Sequence, residues 1–262
     1  MSADDSSHGD DQPTLADGLS RLKRFTPARI ALARAGTAQT TATSLNFMLD
    51  HARARDAVHA TLDFLALGEA LHARDWSVLR VHSAAGDRAE YLRRPDLGRR
   101  LSPVTQPLVA NQMRGSDVAI VAADGLSALA ITTNLLPVLD CLRPLLLARR
   151  RTIGPLVLVE QGRVAIGDEI AHALGAEFAV VMIGERPGLS AADSVGLYLT
   201  LRPQPGVTRD AGRNCISNIR PGGLALDEAA HRLAWLIGAA RRLGATGVAL
   251  KEDAPEALPP PT

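Results

Sequence analysis

Four short stretches carry side chains whose type and spacing could do binding chemistry. Gly184-Glu-Arg-Pro-Gly188 sets a carboxylate between glycines that let backbone come close to a ligand. There Glu185 could accept hydrogen bonds from a polar ligand; the alternative is a turn with Glu185 and Arg186 facing solvent. Gly162-Arg-Val164 has the same two readings. Asn214-Cys-Ile-Ser-Asn218, ahead of Pro221-Gly-Gly223, offers Cys215, although a lone cysteine is more often a small buried hydrophobe than a ligand or nucleophile. Arg93, Arg94, Arg99 and Arg100, around Pro95-Asp96, could hold a phosphate or a partner's carboxylates, or form a solvated cluster tied to Asp96.

The motifs of self-contained catalysis do not occur. Gly125-Leu-Ser127 lacks the second glycine of a nucleophile elbow. No G-x-G-x-x-G follows a strand-like run and no Walker loop is present, which argues against ordinary dinucleotide or ATP binding. The seven histidines form no H-E-x-x-H, and the two cysteines, Cys141 and Cys215, show no metal-ligand spacing. The chain reads as a binding subunit whose chemistry is completed elsewhere. A cofactor-free α/β scaffold and a nucleotide-dependent oxidoreductase are the competing classes.

The elements that must position these residues are readable. The run 178–183 is apolar and β-branched, then stops at Gly184, a charged pair and Pro187-Gly188. That pattern predicts a strand buried on both faces, followed by a tight loop. Similar runs occupy 117–124 and 155–160. Helical segments at 128–149, with possible kinks at Pro137 and Pro144, and at 166–174 separate them. The simplest build is an α/β fold with a Rossmann-like, mostly parallel sheet flanked by helices. Its polar loops collect at the strand C-termini, placing a binding edge at Asp124, 160–164 and 184–188. Further strands are expected at 76–82 (an edge strand) and 195–202, and a closing helix at 228–243 ends at Gly244.

Upstream, the chain reads as a disordered tail at 1–13 and an N-terminal helical region at 14–90. That region holds a leucine stripe (Leu15, Leu19, Leu22) interrupted by Pro27, a helix with Leu45, Met48, Leu49 and Ala52 on one face capped by Thr43 or Ser44, and a helix at 62–72. The segment 91–101 reads as a loop leading into an α/β domain at 91–251, and 252–262 as a frayed, proline-rich end. A net charge of +1 gives no field that favours nucleic acid. Sparse cysteine, the lack of an N-terminal signal and an apolar stretch closed by Arg149–Arg151 suit a soluble, cytoplasmic protein.

Four motifs occur in order: Tyr91-Leu-Arg-Arg-Pro-Asp-Leu-Gly-Arg-Arg100; Asp124-Gly-Leu-Ser with Ala130-Ile and Asn134; Gly184-Glu-Arg-Pro-Gly-Leu189; and Cys215-Ile-Ser-Asn-Ile219 with Gly222-Gly223. Together they closely resemble the small (light) subunit of ethanolamine ammonia-lyase, over about 27–247. The resemblance implies an adenosylcobalamin-dependent enzyme converting ethanolamine to acetaldehyde and ammonia by radical chemistry. A large TIM-barrel subunit would bind substrate and carry the catalytic residues, in a hexamer of heterodimers with cobalamin at the subunit junction. It implies cofactor contacts at Val164, Glu185 and Cys215, within 91–251 as the cobalamin-binding domain. Base-on cobalamin, ligated by its own dimethylbenzimidazole, agrees with the lack of an Asp-x-His-x-x-Gly pattern here. Residence in a bacterial microcompartment is a further possibility the family raises. Ser190 and Gly196 depart from the family's usual residues.

Overall fold

The computed structural model describes residues 21–26 and 28–251. The expected tail at 1–13, Leu15, Leu19, Pro27 and the C-terminal end lie outside the described residues. Two compact units emerge, Met1–Ala52 and Arg53–Thr262.

In the first, β1 (Arg34–Ala35) and β2 (Ala38–Gln39) make a short antiparallel hairpin turning through Gly36 at φ 63°. It leads into α1 (Thr41–His59), inside which the division between the units falls. Thr40, upstream of the expected caps, starts this helix: its hydroxyl accepts from the Thr43 amide at 3.3 Å and its carbonyl from that of Ser44 at 3.0 Å. Leu45, Met48 and Leu49 are exposed along one face of α1.

The second unit is built on a six-stranded sheet with the order β3-β5-β4-β6-β7-β8. Its strands are β3 (Val78–His82), β4 (Val118–Ala123), β5 (Leu156–Glu160), β6 (Phe178–Gly184), β7 (Val195–Leu201) and β8 (Asn214–Ile219). The first four run parallel; β7 and β8 add on antiparallel. This is the mixed α/β, mostly parallel architecture that the apolar runs imply. The region 214–219 was read as a motif rather than a strand. Its exposed, polar positions alternate too weakly to announce one, since β8 lies at the sheet margin.

Successive residues of the buried strands point to opposite layers. Val118, Ile120, Ala122, Phe178, Val180 and Met182 face α2 (Phe64–His72), α5 (Ala128–Ala148) and α7 (Leu226–Leu243). Ala119, Val121, Ala123, Val181 and Ile183 face α4 (Gln106–Ala110) and α6 (Ile166–Ala173). Ser127 caps α5, accepting from the Ala130 amide at 3.2 Å. The helix stays continuous through Pro137 and Pro144, both exposed, so the carbonyls they leave unbonded can meet water. By length and composition α5, at 21 residues, is long and apolar enough to cross a bilayer, where the sequence reading has Arg149–Arg151 ending the apolar stretch before it could span one. Here Ile131, Leu135, Leu139, Leu142 and Leu146 bury one side of it in the core. Gly244, at φ 76°, closes α7 as a left-handed cap.

The chain leaves β4 through α5 on one face and β5 through α6 on the other. A crevice therefore opens between the C-terminal ends of β4 and β5, the topological switch point where sheets of this type bind ligands.

Candidate functional site

Asp124 ends β4 at this crevice and is 4% exposed. Its Oδ1 accepts from the Gly162 amide at 3.2 Å, tying the loop after β4 to the loop after β5. Arg88, from α3 (Arg88–Arg93), places Nη1 3.8 Å from Asp124 Oδ2. The same guanidinium donates to the carbonyls of Val58 and Gly125, both at 2.7 Å, and to Gln161 Oε1 at 3.3 Å. Burial pushes the Asp124 carboxyl up to about 6, against the pull of the loop amides and Arg88. Gly125, at φ 57°, packs so closely on β6 that a methyl there would lie 2.4 Å from the Gly184 carbonyl oxygen.

Behind this junction stands Tyr91, fully buried, its hydroxyl donating to the Gly162 carbonyl at 3.0 Å. Burial raises its pKa. The guanidinium carbons of Arg163 and Arg88 stack on its ring at 4.2 and 4.8 Å. The Arg163 amide donates to the Gly98 carbonyl at 2.7 Å. A methyl on Gly98 would sit 2.8 Å from Arg163 Cγ and 2.9 Å from the Tyr91 ring, so only glycine fits. These contacts give the Tyr91…Gly98 motif a physical meaning: it clamps the 162–164 loop. The segment 91–101, expected to be all loop, begins as the last turn of α3, whose six residues are too short to show a helical period.

Glu185 follows β6. Its Oε2 accepts from the Ser194 hydroxyl at 2.5 Å and the Asn218 amide at 3.2 Å, and its own amide donates to the Ser194 carbonyl. The carboxylate is thus held across three strand ends rather than turned to solvent; Arg186 is the exposed member of the pair. Oε1 takes no hydrogen bond among the described residues. It lies where a methyl on Gly196 would come within 2.9 Å.

Val164, Glu185 and Cys215, singled out from sequence, line a trough of adjoining hollows, Val164 in two of them and Glu185 and Cys215 in one each. A hollow of about 440 Å³ includes Leu126, Arg163, Val164, Ile183, Glu185 and Tyr198. A second, of about 370 Å³, shares Arg163, Val164 and Tyr198 with it and adds Arg99, Arg213 and Cys215. A third, of about 360 Å³, continues from Arg99 and Arg213 to Arg100, Asp168, Arg209 and Asp210. Cys215 lies within β8, opposite Tyr198, so it reaches the trough from the sheet rather than from a terminal loop. Cys215 is exposed at the surface of the hollow, and the partial desolvation of its thiol there pushes its pKa up.

The arginine cluster divides. Arg94 makes a bidentate pair with Asp96, at 3.0 and 2.7 Å, and Arg93 Nε bonds the Ala89 carbonyl. Arg99 and Arg100 instead face the trough. Below them Arg213 and Asp168 form a buried bidentate ion pair, both contacts 2.6 Å, completed by Thr200 at 3.0 Å. Arg88, Tyr91, Gly98 and Arg163 hold the site together, yet sequence reading gave them no role there. The glycine and aromatic inside a charged run were the available signal. Among the described residues, no group of three or more His, Cys, Asp or Glu is placed to hold a metal.

Residues 16–251 match the family model of the ethanolamine ammonia-lyase light chain. An ethanolamine ammonia-lyase small subunit of Azotobacter vinelandii is 51% identical over 94% of this chain and 92% of its own length. The Pseudomonas fluorescens protein of the same name is 52% identical over 89% and 86%, and the Ralstonia nicotianae one 49% over 89% and 87%. The chain therefore belongs to the ethanolamine ammonia-lyase light-chain family.

Proposed function

We propose that this chain is the cofactor-holding small subunit of an adenosylcobalamin-dependent ethanolamine ammonia-lyase, working with a large TIM-barrel subunit that binds ethanolamine. The observation that carries this reading is the meeting of Val164, Glu185 and Cys215 on one trough at the switch point. The residues present fit a corrinoid. Val164, Tyr198, Leu126 and Ile183 offer apolar walls for a macrocycle, and Glu185 Oε1 is an unengaged acceptor for its amide N–H groups. When bound, adenosylcobalamin supplies the radical, by homolysis of its cobalt–carbon bond, that converts ethanolamine to acetaldehyde and ammonia.

This chain's part is to bind, orient and shield. Asp124 and Tyr91 fix the loop that presents Val164, and Ser194 and Asn218 fix the carboxylate of Glu185. The trough is open on one side, which the large subunit would close, keeping water from the reacting centre. We place the cofactor base-on and the assembly as a hexamer of heterodimers, cytoplasmic, and inside a microcompartment where the host builds one. Residues 91–251 serve as the cobalamin-binding domain. Co-expression with the large subunit tests the reading. The complex is expected to bind added adenosylcobalamin and to release acetaldehyde only in its presence. Acetaldehyde formation by this chain alone would overturn the division of labour.

A further inference from the structure

Arg99, Arg100, Arg163, Arg186, Arg209 and Arg213 line the three hollows, against Asp96, Asp168, Glu169, Glu185 and Asp210. Asp96 is committed to Arg94 at 2.7 Å, and Asp168 and Asp210 to Arg213 at 2.6 and 3.5 Å. Glu169 accepts from the Leu101 amide at 2.7 Å. With those acids occupied, Arg99 and Arg163, which both line the 370 Å³ hollow, have no ion pair among the described residues. The two are held side by side: the Arg163 amide bonds the carbonyl of Gly98, the residue before Arg99, at 2.7 Å. Stacking on Tyr91 at 4.2 Å and an Nη2 bond to the Tyr91 carbonyl at 3.3 Å further fix the Arg163 guanidinium. Its Nε is buried without a hydrogen-bond partner.

A rigid, stacked guanidinium beside a second, exposed one is the arrangement that recognises a phosphate oxyanion by charge-assisted hydrogen bonds. We infer that Arg163 and Arg99 form an anion subsite for the phosphodiester of the cofactor's nucleotide tail. The inference rests on the proposed corrinoid function and deepens it. It assigns the macrocycle to the Val164–Glu185 end of the trough and the single negative charge of the tail to the arginine end.

The test compares three corrinoids on the assembled two-subunit complex, with binding read by the change in corrinoid visible absorbance, independent of turnover. Cobalamin carries the whole tail, cobinamide phosphate carries a phosphate without ribose or base, and cobinamide carries neither. Wild-type complex is expected to prefer cobinamide phosphate over cobinamide. Arg163→Gln should weaken cobalamin and cobinamide phosphate by roughly tenfold to a hundredfold, as for loss of a charge-assisted bond, and cobinamide by clearly less, through the lost stacking on Tyr91 alone. Arg99→Gln, on an exposed side chain whose loss leaves the core intact, should act in the same direction, and added salt should reduce the preference. Equal weakening of all three corrinoids, or unchanged binding in both variants, would overturn the subsite while leaving corrinoid binding intact. Failure of the wild-type complex to bind any corrinoid would instead overturn the proposed function.

Discussion

On the proposed reading, Glu185 serves both fold and ligand. One oxygen closes the ends of β6, β7 and β8 through Ser194 and Asn218, and the other takes no hydrogen bond among the described residues. Glu185→Ala is expected to lower cobalamin affinity of the complex about tenfold to a hundredfold, since a charged acceptor contributes roughly 1.5–3 kcal/mol. Glu185→Gln should lose less. Corrinoid titration with melting temperature as control checks this, and wild-type affinity in the alanine variant would reduce Glu185 to a purely structural clasp. Asp124 poses a separate question of protonation. Its carboxyl is raised from 3.8 to about 6, so the folded protein holds that proton more tightly than the unfolded chain. Its stabilising contribution is full below about pH 4 and is lost as pH rises through about 6, amounting to about 3 kcal/mol for a shift of this size. Relative to Asp124→Asn, wild type should therefore lose stability between pH 4.5 and 7 in urea titrations. A constant difference between the two across that range would show that Asp124 does not titrate there.

Among the elements, α6 is joined to the segment leading into β8 by the buried pair of Asp168 and Arg213. Removing one partner strands the other charge, so Asp168→Ala should cost about 3–5 kcal/mol. The double variant Asp168→Leu, Arg213→Met should recover much of that, read from urea midpoints. Two single variants with wild-type midpoints would mean the pair is solvated in solution. The elements themselves were legible wherever burial is two-sided. The all-apolar run before Gly184 could only be an interior strand, and Gly244 marked the end of α7 by its chemistry. Of the site, Val164, Glu185 and Cys215 were found through family motifs and strand ends. What sequence did not disclose is long-range pairing: that Tyr91 would meet Gly162, or Arg213 meet Asp168, depends on contacts 71 and 45 residues apart. Local periodicity carries no trace of such contacts.

At the scale of the molecule, the exposed arginines at the trough rim suggest how the subunits are held in register. Arg100→Glu should loosen the complex with the large subunit on gel filtration while leaving the melting temperature of the isolated chain unchanged; a complex that stays intact would mark Arg100 as merely solvated. The layering of the sheet also bears on how the chain is made. The core surface of α5 is covered in part by α7, which lies from residue 226 to 243. At roughly 5–20 residues per second, a ribosome finishes α5 about 5–20 s before it finishes α7. During that interval a helix apolar enough to attract a membrane or a chaperone stands without one of its native neighbours. Slowed synthesis between the two helices should therefore raise the fraction of chain lost to aggregation, even though the finished protein would be no less stable.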